Sequence, residues 1–170
     1  MALYEVLHFP DPRLHIKAER VEKIDDSIKK LIKDMIETMY HEKGIGLAAT
    51  QIGVNLQIFT MDASETRDQP VCVINPEIIE KSGVWAESEG CLSVPGIYDT
   101  VSRASRVHLR GMNEEGKLFE LHAEDLVAHI IQHEVDHLNG ILFINHLSRL
   151  KFERVKKKVE KEKRRTENPS

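Results

Sequence analysis

Cysteine is scarce and long apolar runs are absent in this chain of 170 residues. The two cysteines, Cys72 and Cys91, exclude a disulfide framework as the basis of the fold, so free thiols are expected. No apolar run approaches the roughly 20 residues that span a bilayer. The first residues lack a basic segment followed by an apolar one, so no secretory signal is expected. We therefore expect a cytoplasmic protein without a membrane partner.

What is present is an ordinary globular composition with an uneven distribution of charge. Hydrophobic residues make up 41% and charged residues 31% of a chain whose length suits one domain with a core. Residues 151–170 contain nine basic and four acidic side chains, a net +5, so residues 1–150 contribute −9 to the total of −4. The sequence predicts a single catalytic domain over 1–150 and a basic C-terminal helix or tail over 151–170.

Hydrophobic periodicity predicts three helices. An apolar stripe at helical spacing follows Asp25 and Asp26, either of which can cap the helix, and Gly44 is expected to end it. A second helix over Leu126–Leu138 is apolar on most sides, which indicates that it is buried. A third helix is expected from about Ser148 into the basic tail.

Short runs rich in β-branched or apolar residues predict strands between these helices. Asn113–Gly116 has the composition of a hairpin turn between the last two strands. The fold class expected is α+β, with short and mostly antiparallel strands packed around the central buried helix, one helix before them and one after. The predicted strands are Leu56–Met61, Val71–Ile74, Ile78–Ile79, Tyr98–Met112 and Leu118–Ala123.

The central helix contains the pattern H-E-x-x-H at His133, Glu134 and His137. Residues four apart share one face of a helix, so both imidazoles can bind one metal ion. Glu134 is placed where it can take the proton of a metal-bound water. The pattern is short enough to occur by chance, but the acidic pair before the helix and Asn139-Gly140 after it support the helical context.

A third ligand is needed for a catalytic metal site, and the residues leave several candidates. One zinc peptidase branch requires a histidine where this chain has Phe143, which cannot bind metal. Another branch uses a later glutamate, but Glu153 and Glu160 lie among lysines. Cys91 is flanked by glycine and proline, which predicts a turn or irregular segment and leaves its thiol as a ligand or an exposed group. Cys72 lies in an apolar run and is expected to be a buried structural thiol.

Three stretches resemble, in order, the motifs of the peptide deformylase family: G-I-G-L-A-A-T-Q at 44–51, E-G-C-L-S at 89–93 and Q-H-E-V-D-H-L at 132–138. The resemblance extends over nearly the whole chain. It implies that Cys91, His133 and His137 bind one divalent metal ion. The resemblance further implies Fe²⁺ as the ion in the cell, whereas the donor atoms also suit Zn²⁺, Ni²⁺ or Co²⁺ in the isolated protein.

The resemblance also implies a reaction, the removal of the N-formyl group from the N-terminal formylmethionine of nascent peptides with release of formate. Metal-bound hydroxide is expected to attack the formyl carbon. Glu134 would serve as general base and then as general acid. Gln51 and the backbone N–H of Leu92 would stabilise the oxyanion.

Substrate-binding residues are implied in the glycine-rich segment, the cysteine segment and the central helix. Composition alone favours a helix end and turn for Gly44–Gln51 over a loop laid along a ligand. The residues also leave open that Arg103 is a solvated surface charge and that His129 is a partly exposed polar group. The implied set is Ile45, Gly46, Gly90, Arg103, Leu126, His129 and Ile130.

The expected partners are formylmethionyl nascent peptides and the ribosome near its exit tunnel. Basic residues in Lys151–Arg165 can contact RNA phosphates, although a frayed and solvated terminus is the alternative for this segment. No DNA partner is expected. Two other classes stay open, a zinc endopeptidase that cleaves unblocked peptides and a ribosome-binding module without turnover.

Overall fold

The computed structural model describes residues 3–167 and has three α-helices and seven β-strands in that range. The helices are α1 (Asp26–His41), α2 (Asp125–Leu138) and α3 (Arg149–Glu167). All pairings between the strands are antiparallel, which confirms the predicted α+β class. The strands are β1 (Gly46–Ala48), β2 (Ile58–Met61), β3 (Val71–Ser82), β4 (Trp85–Cys91), β5 (Val94–Arg103), β6 (Arg106–Met112) and β7 (Leu118–Glu124).

Five strands form one sheet in the order β1-β2-β3-β6-β7, and β4 pairs with β5 in a second sheet. β3 is a single strand of 12 residues, although the sequence predicts two short strands there. It pairs with β2 and with β6, and its register with β6 shifts between Ile74 and Glu77. Pro76 lies at that shift. Because proline has no N–H to donate, it interrupts the strand pattern in the sequence without ending the strand.

α1 begins as its sequence predicts but ends differently. The Asp25 carboxylate accepts a hydrogen bond from the Ile28 N–H at 3.1 Å and so caps the first turn. After the helix, the residue with a left-handed backbone is Lys43, with φ of 59°, and not Gly44. Gly44 instead lies against Leu92, because a Cβ at position 44 would be 2.7 Å from Leu92 Cδ1 and would displace that side chain. The helix end therefore sits directly against the segment that follows Cys91.

Two expectations about the middle of the chain are wrong. The run Tyr98–Met112 is not one strand, because it contains the end of β5 and all of β6, which belong to different sheets. Cys91 is not in an irregular segment but is the last residue of β4, directly before the turn into β5. β4 consists mainly of Glu, Ser, Ala and Gly, which have low strand propensity. Its strand conformation therefore depends on pairing with β5.

α2 is the central buried helix. Ala128 and Ile131 are fully buried and pack in one apolar cluster with Phe59 and Leu109 of the five-stranded sheet. Burial of a side chain the size of isoleucine stabilises the fold by about 1.5 to 3 kcal/mol. The sheet therefore fixes the position from which the other face of α2 presents its two histidines and glutamate.

α3 begins two residues before the predicted basic tail, and its first turns are part of the core. Val155 is buried, and the Phe152 ring meets the Phe9 ring edge to face at a centroid distance of 6.2 Å. The lysines of α3 remain exposed. Within residues 3–167, no helix combines the length and apolar character needed to cross a membrane.

Candidate metal centre and substrate cleft

Three metal-donor side chains meet where α2 passes the end of β4. His133 and His137 lie one helical turn apart, and their Nε2 atoms are 3.1 Å from each other. Cys91 Sγ lies 3.2 Å from His137 Nε2, and all three donor atoms lie within 4.8 Å of one another. The structure thus brings together the three residues predicted as metal ligands.

This donor set fits a divalent transition metal ion. Around a tetrahedral ion with bonds of about 2.1 to 2.3 Å, donor atoms lie roughly 3 to 4 Å apart. Two imidazoles and one thiolate suit iron, zinc, nickel or cobalt, and three protein donors leave one coordination position for a small ligand. Phe143, which occupies the place of a histidine ligand in one zinc peptidase branch, instead packs against the His133 ring at a centroid distance of 6.3 Å.

Sequence reasoning missed Glu89, a buried carboxylate that orients His133. Its Oε2 accepts a hydrogen bond from His133 Nδ1, and its Oε1 lies 2.5 Å from His129 Nε2. Arg103 donates to both oxygens at 2.8 Å. A carboxylate on the second nitrogen of a metal-binding histidine fixes the ring and leaves the other nitrogen for the ion. No signal in the sequence identifies Glu89 as this partner, because the contact joins β4 to α2 and the pairing of β4 with β5 is irregular between Glu89 and Cys91.

The same network corrects the expectation for Arg103. Its guanidinium is buried in ion pairs with Glu89 and, at 2.9 Å, with Asp136, and Arg103 is not among the described residues that line the cleft. Burial alone would raise the pKa of Glu89, but hydrogen bonds from Arg103, His129 and His133 outweigh it and hold the pKa well below its usual range. Arg103 therefore binds Glu89, which in turn orients the metal-donor residue His133.

Replacing Glu89 with Gln should weaken both metal binding and the fold. The neutral amide removes one partner of a buried ion pair, a change that costs about 3 to 5 kcal/mol. Loss of a carboxylate that orients a ligand lowers metal affinity by about 10- to 100-fold. Thermal unfolding of the metal-free protein and competition with a chelator measure the two effects. Glu87→Gln, at an exposed position of the same strand, is the matched control. Unchanged metal affinity in Glu89→Gln would remove the orienting role.

Glu134 lies beside the metal-donor atoms with one oxygen unsatisfied. The residue is 3% exposed, and its Oε1 has no hydrogen-bond partner among the described residues. Burial raises the pKa of Glu134 to about 7, although the neighbouring His133 charge opposes the rise. Gly46 leaves room for this carboxylate, because an added Cβ would collide with Oε2. A buried carboxylate with these properties is suited to proton transfer.

Gln51 is buried next to Cys91, and both ends of its amide are ordered. Its Oε1 accepts a hydrogen bond from the Ala48 N–H at 2.9 Å, which leaves Nε2 on the side of the metal-donor residues. Nε2 lies 3.1 Å from Ser93 Oγ and 3.6 Å from Cys91 Sγ. Leu92 lies in the turn after Cys91 and lines the cleft. Both residues predicted to supply oxyanion donors are therefore adjacent to the metal-donor side chains.

A cleft of about 570 Å³ opens in front of these residues. Of the seven predicted substrate-binding residues, all but Arg103 line it. Ile45 and Leu126, each 44% exposed, form an apolar rim, and His129 is buried rather than partly exposed. Tyr98, which was not predicted, also lines the cleft and is 72% exposed. An apolar cleft with a few polar groups at one end is typical of a site for a small ligand.

One wall of the cleft is the edge strand β1, which is the first strand of the five-stranded sheet. The connector 62–69 holds the two residues that precede β1, Gly44 and Ile45, by hydrogen bonds to their carbonyl oxygens. The Asp62 N–H donates to Ile45 O at 2.9 Å, and Arg67 Nη2 donates to Gly44 O. A fixed edge strand can pair with the backbone of an extended peptide. The composition of this segment favoured a simple turn, and the structure instead makes it a strand beside the cleft.

Known proteins with related sequences and structures agree on one family. The family described as polypeptide deformylase matches residues 3–153. A peptide deformylase of Neisseria meningitidis is 52% identical over 166 residues, which cover 98% of this chain and 99% of the relative. One from Chromobacterium violaceum is 53% identical and covers 95% of this chain and 96% of the relative.

Two solved structures extend the likeness to the fold. A crystal structure of a peptide deformylase from Legionella pneumophila has a TM-score of 0.93 and 44% identity, covering 98% of this chain and 99% of that one. The Ehrlichia chaffeensis peptide deformylase in complex with actinonin has a TM-score of 0.92 and 39% identity, covering 96% and 99%. The chain therefore belongs to the peptide deformylase family of metal-dependent hydrolases.

Proposed function

We propose that this protein removes the formyl group from the N-terminal formylmethionine of nascent peptides and releases formate. The observation on which this rests most is the placement of the unsatisfied Glu134 carboxylate beside Cys91, His133 and His137, at the end of an apolar cleft. The apolar rim suits a methionine side chain. Family membership supports the formyl group as the part that is removed.

The proposed cofactor is one divalent metal ion bound by Cys91, His133 and His137, with Fe²⁺ the ion in the cell. Zn²⁺, Ni²⁺ or Co²⁺ can replace it in the isolated protein, because the same donor atoms suit all four. When bound, such an ion supplies Lewis acidity that lowers the pKa of water and polarises a carbonyl oxygen. Glu89 and Phe143 keep the His133 ring in one orientation for it.

The side chains of the protein account for the proton transfers and for the charge that develops. Glu134 accepts the proton of the attacking water and then donates it to the amine that leaves. Gln51 Nε2 and the Leu92 N–H donate hydrogen bonds to the oxygen of the formyl group as it becomes negative. Donors fixed before the reaction need no reorganisation when the charge appears, which makes them effective. The peptide backbone aligns along β1 at Gly46.

Formate release from a formyl-Met peptide tests this function directly. The protein is prepared anaerobically with Fe²⁺ and incubated with formyl-Met-Ala-Ser, and formate and the free amine are both measured. We expect the two products in equal amounts. The same peptide without the formyl group should remain intact. Cleavage of internal bonds in the unblocked peptide would indicate an endopeptidase, and no turnover with any metal would favour a binding module.

Replacing Gln51 with Leu should reduce kcat by about 100- to 1,000-fold and change KM much less. The reason is that an oxyanion donor acts in the transition state and contributes little to binding of the substrate. Steady-state kinetics with formyl-Met-Ala-Ser gives both constants. Gln69→Leu is the control, because the side chain of Gln69 is exposed and far along the connector 62–69. An effect on KM alone would make Gln51 a substrate-binding residue.

We also propose that α3 binds the ribosome near its exit tunnel, which would place the enzyme in the cytoplasm where nascent peptides emerge. Lys156, Lys157 and Arg164 are exposed and can contact RNA phosphates. Changing these three residues to Glu should lower ribosome affinity at least about tenfold and reduce its salt dependence. Turnover of formyl-Met-Ala-Ser should stay the same. The matched control changes three exposed lysines elsewhere, Lys23, Lys29 and Lys33, to Glu. Equal ribosome affinity in both variants would contradict the proposal.

A further inference from the structure

A second groove lies next to the substrate cleft and is lined on one side by α3. We call it the α3 groove. Its volume is about 640 Å³, and His8 and Pro95 line both this groove and the cleft, so the two are directly adjacent. The metal-donor residues lie on the cleft side, and the last turns of α3 lie over the other side. The further apolar residues that line the α3 groove are Phe9, Pro10, Pro12, Val94, Ile97 and Val159.

The α3 groove exists because the apolar stripe of α3 ends before the helix does. Val155 is buried and Val159 is half-buried. The next residues of the helix that line the groove are Glu162, Lys163 and Thr166, and all three are exposed. Within the described residues, α3 therefore has no large apolar side chain to fill the space in front of the apolar floor.

The composition of the α3 groove indicates what kind of ligand it suits. Its charged residues are balanced, with Lys158 and Lys163 opposite in sign to Asp11 and Glu162, so it does not select a polyanion such as RNA. Its prolines have no N–H to donate, which limits pairing with a peptide backbone. What remains is an apolar surface suited to side chains.

We infer that the α3 groove binds the part of the formylated peptide downstream of the residues in the cleft, and that it prefers apolar side chains there. The inference rests on the proposed function, because that function makes the ligand of the cleft the start of a longer chain. An extended peptide advances about 3.3 Å per residue, so a chain that leaves the cleft past His8 and Pro95 enters the α3 groove within a few residues. The enzyme would then distinguish nascent chains by residues well beyond the methionine.

Peptide length and composition test the inference on the full-length, metal-loaded protein. Three substrates are compared: formyl-Met-Ala-Ser, a nonapeptide that continues it with Leu at two positions between five and eight, and the same nonapeptide with Ser at those positions. Removing one Leu-sized side chain from water predicts about tenfold higher kcat/KM for the Leu nonapeptide than for the Ser nonapeptide. The Ser nonapeptide should match the tripeptide.

Two variants of α3 test whether the preference for the Leu nonapeptide arises in the α3 groove. Val159→Ser should lower kcat/KM about threefold for the Leu nonapeptide only, since it removes apolar surface from the α3 groove. Lys161→Ser places the same residue at an exposed position of the helix outside the groove and should leave kcat/KM unchanged for all three peptides. Unchanged turnover of the tripeptide by Val159→Ser shows that the fold and the metal centre are intact. A deformylated nonapeptide with a photoreactive leucine at position six should cross-link the wild-type chain within Val94–Ile97 or α3.

The outcomes distinguish a failure of the proposed function from a failure of the α3 groove as a peptide site. If the wild-type protein does not deformylate the tripeptide, the proposed function fails. If it does, equal kcat/KM for the Leu and Ser nonapeptides, equal effects of both variants, or cross-links elsewhere would overturn the α3 groove as a peptide site. A shift from dimer to monomer in Val159→Ser, with the Leu preference absent in the wild type, would identify the groove as an interface between copies instead.

Discussion

Replacing Glu134 with Gln should reduce kcat by about a thousandfold while the metal content of the protein stays the same. The amide has nearly the shape of the carboxylate but cannot accept the proton of the attacking water. General acid–base catalysis is typically worth about 100- to 10,000-fold, and here one residue is expected to act in both directions. Glu134 is not part of the group of metal-donor side chains, so the ligand set is left complete.

Steady-state kinetics with formyl-Met-Ala-Ser, together with metal analysis of the same samples, measures both parts of this expectation. Glu124→Gln is the matched control, because Glu124 precedes the same helix, is exposed and makes no side-chain cap. Glu134→Asp offers a second comparison, since the shorter carboxylate should recover part of the activity if proton transfer is the role. Wild-type kcat in Glu134→Gln would end the assignment, and loss of metal would make Glu134 part of the metal site.

The parts of the fold that the sequence predicts well are those fixed by local interactions. The start of α1 follows from Asp25 and a period of 3.6 residues, both of which are properties of a short segment. β4 is different, because its composition is unfavourable for a strand and its conformation depends on β5. Strand pairing of this kind is a tertiary property, and a propensity read along the chain does not include it.

The contacts of the candidate site also divide into those set by local structure and those set by tertiary structure. His133 and His137 are four residues apart on one helix, so their convergence is already present in the secondary structure. Glu89 and His133 are 44 residues apart, and their contact exists only because β4 ends against α2. The burial of Arg103 likewise depends on tertiary contacts that the sequence does not reveal. As a charged residue it is expected at a surface or on a substrate, yet ion pairs with the buried Glu89 at 2.8 Å and the half-buried Asp136 at 2.9 Å make its burial favourable.

The helix and the strand contribute different properties to the metal centre. α2 is packed against the sheet and supplies two imidazoles at a fixed spacing, whereas β4 supplies a sulfur atom at the start of a turn. A thiolate brings one negative charge to a divalent ion, which distinguishes this site from one with three neutral ligands. Cys91 is thus the proposed ligand whose removal would change both the number of donors and the charge at the centre.

Replacing Cys91 with Ala should therefore abolish stoichiometric metal binding and, with it, deformylation. Changes at residues that only orient a ligand already cost about 10- to 100-fold in affinity, so loss of a charged ligand should exceed about a hundredfold. His133 and His137 would remain as the two donors on α2. The fold should persist, because Cys91 is only partly buried and its backbone pairing with Val94 does not involve the thiol.

The other cysteine provides the matched control for this result. Cys72 lies in β3, is buried in the apolar cluster beside α1 and has a pKa raised to about 12 by burial, which keeps its thiol protonated and unreactive. Cys72→Ala should lower thermal stability through a small cavity but retain one equivalent of metal and full turnover. Thiol labelling of the metal-free wild type should modify Cys91 alone. If Cys91→Ala retains one equivalent of metal, the thiolate is not a ligand and the third donor has to be sought elsewhere.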